Sequence, residues 1–132
     1  MTRKLKIHYY SDCYFFAGCE NMLINFFSSK KLRDIADIGF TYRYSQKYQE
    51  GFENRYKENG LAQHSLSLWD VNNSLSAISP KPIRVIARLL AFVLLLRYWA
   101  ILFNTFRLHK HIKSLGSIDI LHINNGGYPA AP

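Results

Sequence analysis

Ile118-Asp-Ile-Leu-His-Ile-Asn-Asn-Gly-Gly127 is a short apolar run that passes directly into a glycine turn. Residues 118–123 have the length and residue types of a strand buried in a sheet, and the Asn-Asn-Gly-Gly that follows is made of turn formers. In a parallel, helix-covered sheet, the loop after a strand's carboxyl end is where ligands sit. Such a loop is ordinarily followed by a helix that packs back on the sheet. Here only Tyr128-Pro-Ala-Ala-Pro132 follows. The chain is therefore expected to be a ligand-binding half-domain whose continuation is missing.

Upstream, the pattern alternates. Residues 5–10 read as a first strand and 11–18 as an aromatic loop closed by Ala17-Gly18. Residues 19–31 have helical spacing, with Met22, Leu23, Phe26 and Phe27 on one side. Residues 38–42 read as a second strand. Ser45 is placed to cap a helix over 46–58 that stops at Asn59-Gly60. A third strand is expected over 65–69 and a polar loop over 70–79. Pro80 and Pro82 mark the start of a long apolar helical stretch over 83–112. Strand and helix in turn predict an α/β protein, a Rossmann-like parallel sheet flanked by helices. It is read as one domain over residues 1–132, with 80–113 a basic apolar helical segment within it.

Composition agrees with a folded chain. Its 132 residues are 48% hydrophobic and 15% aromatic, enough for one core but short for a two-domain enzyme. The formal charge is +8, and its location is the informative part. Seven of the seventeen Lys/Arg (81, 84, 88, 97, 107, 110, 113) lie between Val71 and Ile118, where there is no acid; the other ten face nine acids. A spanning helix needs about 18–20 apolar residues. Arg88, Arg97 and Arg107 leave uncharged runs of eight and nine residues, and an arginine at mid-bilayer costs roughly 2.5–3.5 kcal/mol. Spanning, a buried helix or a pair broken near Arg97, and a helix on an anionic lipid surface all stay open. The combination of core packing with surface association is favoured, with Arg84, Arg88, Arg97 and Trp99 meeting the membrane. Nucleic acid is not expected as a partner, because the charge is interleaved with leucine and valine and no recognised motif is present.

The spacing of Cys13 and Cys19 permits a disulfide but a reduced cytosolic pair is the favoured reading, and nothing is spaced to hold zinc or another metal. No G-x-G-x-x-G and no Gly-Lys-Ser/Thr is present, which removes support for nicotinamide and ATP sites. Two loops remain. Ala17-Gly18-Cys-Glu20 opens a helix, whose first N–H groups suit a phosphate. His122 faces the same way as Asn124 by period two, ahead of Asn125, Gly126 and Gly127; a satisfied structural histidine and a site histidine are both compatible with that position. Arg43, Tyr44, Tyr48 and Tyr56 follow the second strand, either as a stacking surface or as one face of a solvated helix.

Four pieces occur in order: Lys6-Ile-His-Tyr-Tyr10, Ala17-Gly-x-Glu20, Phe40-Thr-Tyr-Arg-Tyr-Ser45, and Asp119-Ile-Leu-His-Ile-Asn-Asn-Gly-Gly-Tyr-Pro-Ala-Ala131. Together they resemble the amino-terminal half of a glycosyltransferase of the group 1, family 4-like class, with the GT-B fold. The resemblance implies an acceptor-side Rossmann-like domain that faces a donor-binding domain across a cleft. The family's paired-glutamate donor motif has no counterpart here. By resemblance, Ala17, Gly18 and Glu20 form the donor-phosphate loop and His122 is the catalytic histidine beside the reacting sugar. Asn124, Asn125, Gly126 and Gly127 then form the acceptor or sugar loop. The chain departs from the family in Ala17, where glycine is usual, and in His122-Ile-Asn124, where relatives often carry His-x-His. The nucleotide-sugar is a substrate and no cofactor is implied. The expected partners are that donor, a glycan or lipid-linked acceptor, and an anionic membrane. The expected location is cytoplasmic, peripheral at the inner face of the membrane. A non-enzymatic, membrane-associated α/β protein, or an inactive truncated reading frame, is the alternative.

Overall fold

The computed structural model describes residues 3–57 and 60–124. Among them the elements run β1 (Leu5–Ser11), α1 (Gly18–Ser28), α2 (Lys30–Ile35), β2 (Ala36–Arg43), α3 (Gln46–Arg55), β3 (Ala62–Leu66), α4 (Val71–Ser76), α5 (Lys81–Val93), α6 (Leu96–Ser114) and β4 (Ile120–Asn124). The four strands form one sheet in the order β3-β2-β1-β4, and every pairing is parallel. This is an α/β protein with a Rossmann-like parallel sheet flanked by helices.

The chain falls into two compact units. One holds the sheet, drawn from the residues up to Ser67 and from Gly116 onward; the other is helical, Leu68–Leu115. In the sheet unit, alternate residues of β1 and β2 put Tyr9, Phe40 and Tyr42 on one face. There they meet Leu23 and Phe27 of α1 and Tyr48 and Phe52 of α3. The core is almost entirely aromatic, with edge-on and stacked rings such as Tyr9–Phe27 at 5.3 Å and Tyr42–Tyr48 at 5.1 Å between centroids. Phe16, from the loop after β1, packs so closely on α3 that a methyl group at Gly51 would overlap it. That contact explains a glycine inside a helix, where it costs about 1 kcal/mol relative to alanine. The second face of the sheet carries a buried polar pair, His8 Nε2 at 2.8 Å from Thr41 Oγ1. The His8 ring lies over Gly39, where an added Cβ would come within 2.5 Å of Nδ1.

The helix expected over 19–31 is two helices, separated at Ser29, which turns extended and accepts the Leu32 N–H to start α2. Ser45 caps α3 as expected, accepting the Tyr48 N–H at 3.1 Å. The third strand lies three residues earlier than expected. Trp69 is not available to the sheet: its N–H and carbonyl are both held at 2.8 Å by the Asn104 side chain of α6. The polar stretch expected as loop contains α4, because the Asp70 carboxylate accepts the Asn73 N–H and caps a short helix. The long apolar stretch is a pair of helices, broken at Leu94-Leu95 just ahead of Arg97. Leu95 there takes a left-handed backbone (φ 52°) and the axes bend by 68°.

Candidate functional site

Chain order and strand order together locate the site. From β1 the chain steps outward to β2 and β3, then returns to place β4 on the other side of β1. Such a reversal opens a crevice at the carboxyl ends of the two flanking strands. Those ends are Ser11 and Asn124, which are register partners.

A single carboxylate joins the two loops at this rim. Glu20, in the first turn of α1, is buried at 1% exposure. Its Oε1 accepts Asn124 Nδ2 at 3.2 Å and Ser11 Oγ at 3.5 Å, and its Oε2 accepts the Ala17 N–H at 3.1 Å. The turn at Ala17 and the end of β4 therefore converge. Glu20 does so by turning inward, so it holds the loop instead of lining its mouth. The backbone N–H groups of Gly18, Cys19 and Glu20 precede the first intrahelical bond, from Asn21 to Ala17 O, and sit at the positive end of the helix. Gly18 is open: an added Cβ would meet nothing within 4 Å.

Around Glu20 the groups are kept neutral. Burial, and then the hydrogen bond to Glu20, push the Cys13 thiol up to about 11, so it is not a nucleophile at neutral pH. Cys13 is a free thiol. Burial likewise drives the Tyr48 phenol well above its ordinary value. Tyr48 belongs to the core with Tyr42 and Phe52, and Tyr56 packs against it. The aromatic cluster after the second strand is thus mostly structural. Arg43 goes elsewhere, to Asp12 Oδ1 at 3.3 Å and over the Tyr14 ring at 4.2 Å. Ser11, Asp12 and Cys13 are rim residues that sequence reading left in a loop. The signal for them was the continuation of β1's alternation by one more residue.

His122 lies one side-chain pair down the strand from Asn124, about 7 Å back from the rim. It is exposed, on the α1 side of the sheet, with its ring centroid 5.2 Å from that of Tyr9. Asn125, Gly126 and Gly127 lie outside the described residues. Among the described residues, no group of three or more His, Cys, Asp or Glu is placed to hold a metal ion. A shallow depression of ≈ 350 Å³ is lined by Phe52, Tyr56, Leu61 and Gln63. It opens where α3 leads into β3, at the amino edge of the strands, and so away from the crevice.

The residues expected at a membrane all lie in the helical unit. Arg84 is half-buried and donates Nε to the Ile78 carbonyl at 2.8 Å, while Arg88, Arg97 and Trp99 are exposed. No single helix among the described residues is long and apolar enough to cross a membrane; α5 and α6 pass that test only together, as a bent pair. The chain matches no protein-family model, no curated protein and no solved structure.

Proposed function

We propose that the chain forms the amino-terminal, acceptor-side half of a GT-B glycosyltransferase. The complete enzyme would move a sugar from a nucleotide-sugar to a lipid-linked or polysaccharide acceptor at the inner face of a membrane. The observation that supports this reading is the Asn124–Glu20 hydrogen bond, which draws the two strand-end loops onto one rim. Sugar transfer from a nucleoside diphosphate needs stabilisation of the charge that develops on the leaving diphosphate. Oriented backbone dipoles and cations supply it. The start of α1 offers the dipoles, Gly18 the room for a phosphate to approach, and Asn124 a neutral hydrogen-bonding group beside it. His122, on the same strand face as Asn124, is assigned to the sugar side. Glu20 is a positioning residue. By resemblance the donor clamp belongs to a second domain, so residues 1–132 alone are expected to show little or no transfer.

Ligand-detected NMR with uridine and guanosine diphosphates on the intact chain tests the proposal. Weak binding that Gly18→Asp abolishes is expected, because the new carboxylate occupies open space and repels phosphate without disturbing the core. Binding indifferent to that substitution refutes the loop's role, and robust sugar transfer by the chain alone refutes the half-site reading. The exposed apolar helices favour a second reading, a non-enzymatic membrane-associated protein, which predicts no nucleotide binding at all.

A further inference from the structure

Helices α5 and α6 bury the wrong side chains for a protein surrounded by water. The buried and half-buried positions of α5 are Arg84, Ala87 and Ala91; those of α6 begin Leu96, Ala100 and Asn104. Most of their large apolar side chains point outward instead, with Phe92 78% and Val93 72% exposed, followed by Trp99, Leu102 and Phe106; Leu96, Leu108 and Ile112 are the half-buried exceptions. Water drives the opposite arrangement, since exposing such side chains forfeits the hydrophobic gain. Small residues on the packed side and an amide satisfied internally, as Asn104 is by the Trp69 backbone, are what helices adopt when hydrocarbon surrounds them.

We infer that α5 and α6 form a wedge immersed in the acyl layer of one leaflet of an anionic bilayer, with Leu94-Leu95 at its tip. The charges choose this occupant. An all-cationic segment with no acid between Val71 and Ile118 repels an identical face on a second copy and complements anionic headgroups. The exposed Lys81, Lys110 and Lys113 lie towards the ends of the pair, away from the bend, while Arg88 and Arg97, nearer the tip, would meet headgroups only along their long apolar stems. The dimensions fit. From the bend, α5 runs about 18 Å to Lys81 and α6 about 16 Å to Arg107. With each arm tilted by half the 68° bend, the tip lies roughly 10 Å deep, within the ~15 Å of one leaflet's hydrocarbon. The inference deepens the membrane part of the proposed function and rests on that part alone. A failed nucleotide-binding experiment leaves it standing.

The test uses the full chain carrying Trp69→Phe, which leaves Trp99 as its single tryptophan. Phosphatidylcholine vesicles with and without phosphatidylglycerol are used, some brominated on the acyl chains. Expected are flotation with the anionic vesicles, a blue shift of Trp99, and quenching by acyl-chain bromine. Phe92→Glu with Val93→Glu is expected to weaken flotation at least about tenfold with an unchanged circular dichroism spectrum, because both positions are exposed. Flotation without quenching, or flotation indifferent to the two glutamates, overturns the wedge. So does a lipid-free dimer that the same glutamates dissociate while vesicles fail to bind.

Discussion

Phe40 on β2 and Phe92 on α5 are the same side chain under opposite rules. Phe40 is completely buried among other rings, whereas Phe92 is 78% exposed beside a buried Ala91. The contrast extends to the two units they belong to. In the sheet unit the large aromatics are inside. In the helical unit Arg84, Ala87, Ala91, Ala100 and Asn104 share the packed side with Leu96, while Phe92, Val93, Trp99, Leu102 and Phe106 lie outside. One chain thus carries two opposite arrangements of large apolar side chains.

The sharpest way to break that comparison is to make the same substitution in both places. Phe40→Ala should cost about 3–5 kcal/mol, a large fraction of a small domain's stability. Phe92→Ala should change it by no more than about 0.5 kcal/mol. Urea denaturation of the lipid-free protein measures both, and a large loss from Phe92→Ala would mean that its face is covered after all. Next in size is Glu20→Gln. Both carboxylate oxygens accept hydrogen bonds, so an amide must set its NH2 against at least one donor. A loss of about 1–3 kcal/mol is expected, with Asn124→Ala costing about 1 kcal/mol. Equal stability of Glu20→Gln and the parent chain would remove the rim's supposed tie.

Two smaller effects depend on pH. Cys13 has its pKa raised, from an ordinary 9.0 to about 11. Its contribution to stability is therefore complete below pH 9 and lost as pH rises towards 11. Alkylation at pH 8, followed by peptide mapping, should be about a hundredfold slower than for a free thiol; fast labelling would place Cys13 at the surface. Asp119 shifts the other way. It accepts the Lys6 N–H and the Arg3 guanidinium, which hold its carboxyl below the usual range, the backbone bond more strongly. That contribution is present above about pH 4 and lost on acidification. Asp119→Asn should slightly lower stability at neutral pH and flatten its dependence on acid. An unchanged acid profile would show that the clasp between β1 and β4 contributes nothing.

Much of the sheet unit was legible because its signals are local. The alternation of β1 and β2, Ser45 as a cap and the prolines before α5 each act within a few residues of where they stand. Strand β3 was misplaced because Ser65 to Trp69 looks like a better strand than Ala62 to Leu66. Asn104, thirty-five residues away in sequence, decides otherwise. Helix α4 was missed because Val-Asn-Asn-Ser-Leu-Ser is a poor helix former that depends on its Asp70 cap. At the rim, convergence followed from topology, but Glu20's inward turn did not. A glutamate in a first helical turn is ordinarily solvated, and the partners that hold this one inward, Ser11 and Asn124, come from two strand ends that only the folded sheet brings beside it. The inversion in α5 and α6 was unreadable for a deeper reason. Periodicity says which residues share a side of a helix, not what fills the space beyond it, and a stripe of Arg84, Ala87 and Ala91 does not resemble a core.

The left-handed torsion at Leu95 separates two topologies. A leucine in that conformation costs roughly 1–2 kcal/mol relative to a helical one. Were the residue to relax, Lys81 to Ser114 would become a single rod of about 50 Å, longer than the ~30 Å of a hydrocarbon core. Arg97 would then be carried towards mid-bilayer, against a penalty larger than the torsional strain. If the proposed membrane insertion holds, the choice between a monotopic and a bitopic form would turn on a competition between one backbone angle and one guanidinium. Glycine at position 95 and leucine at position 97 would pull the balance in opposite directions.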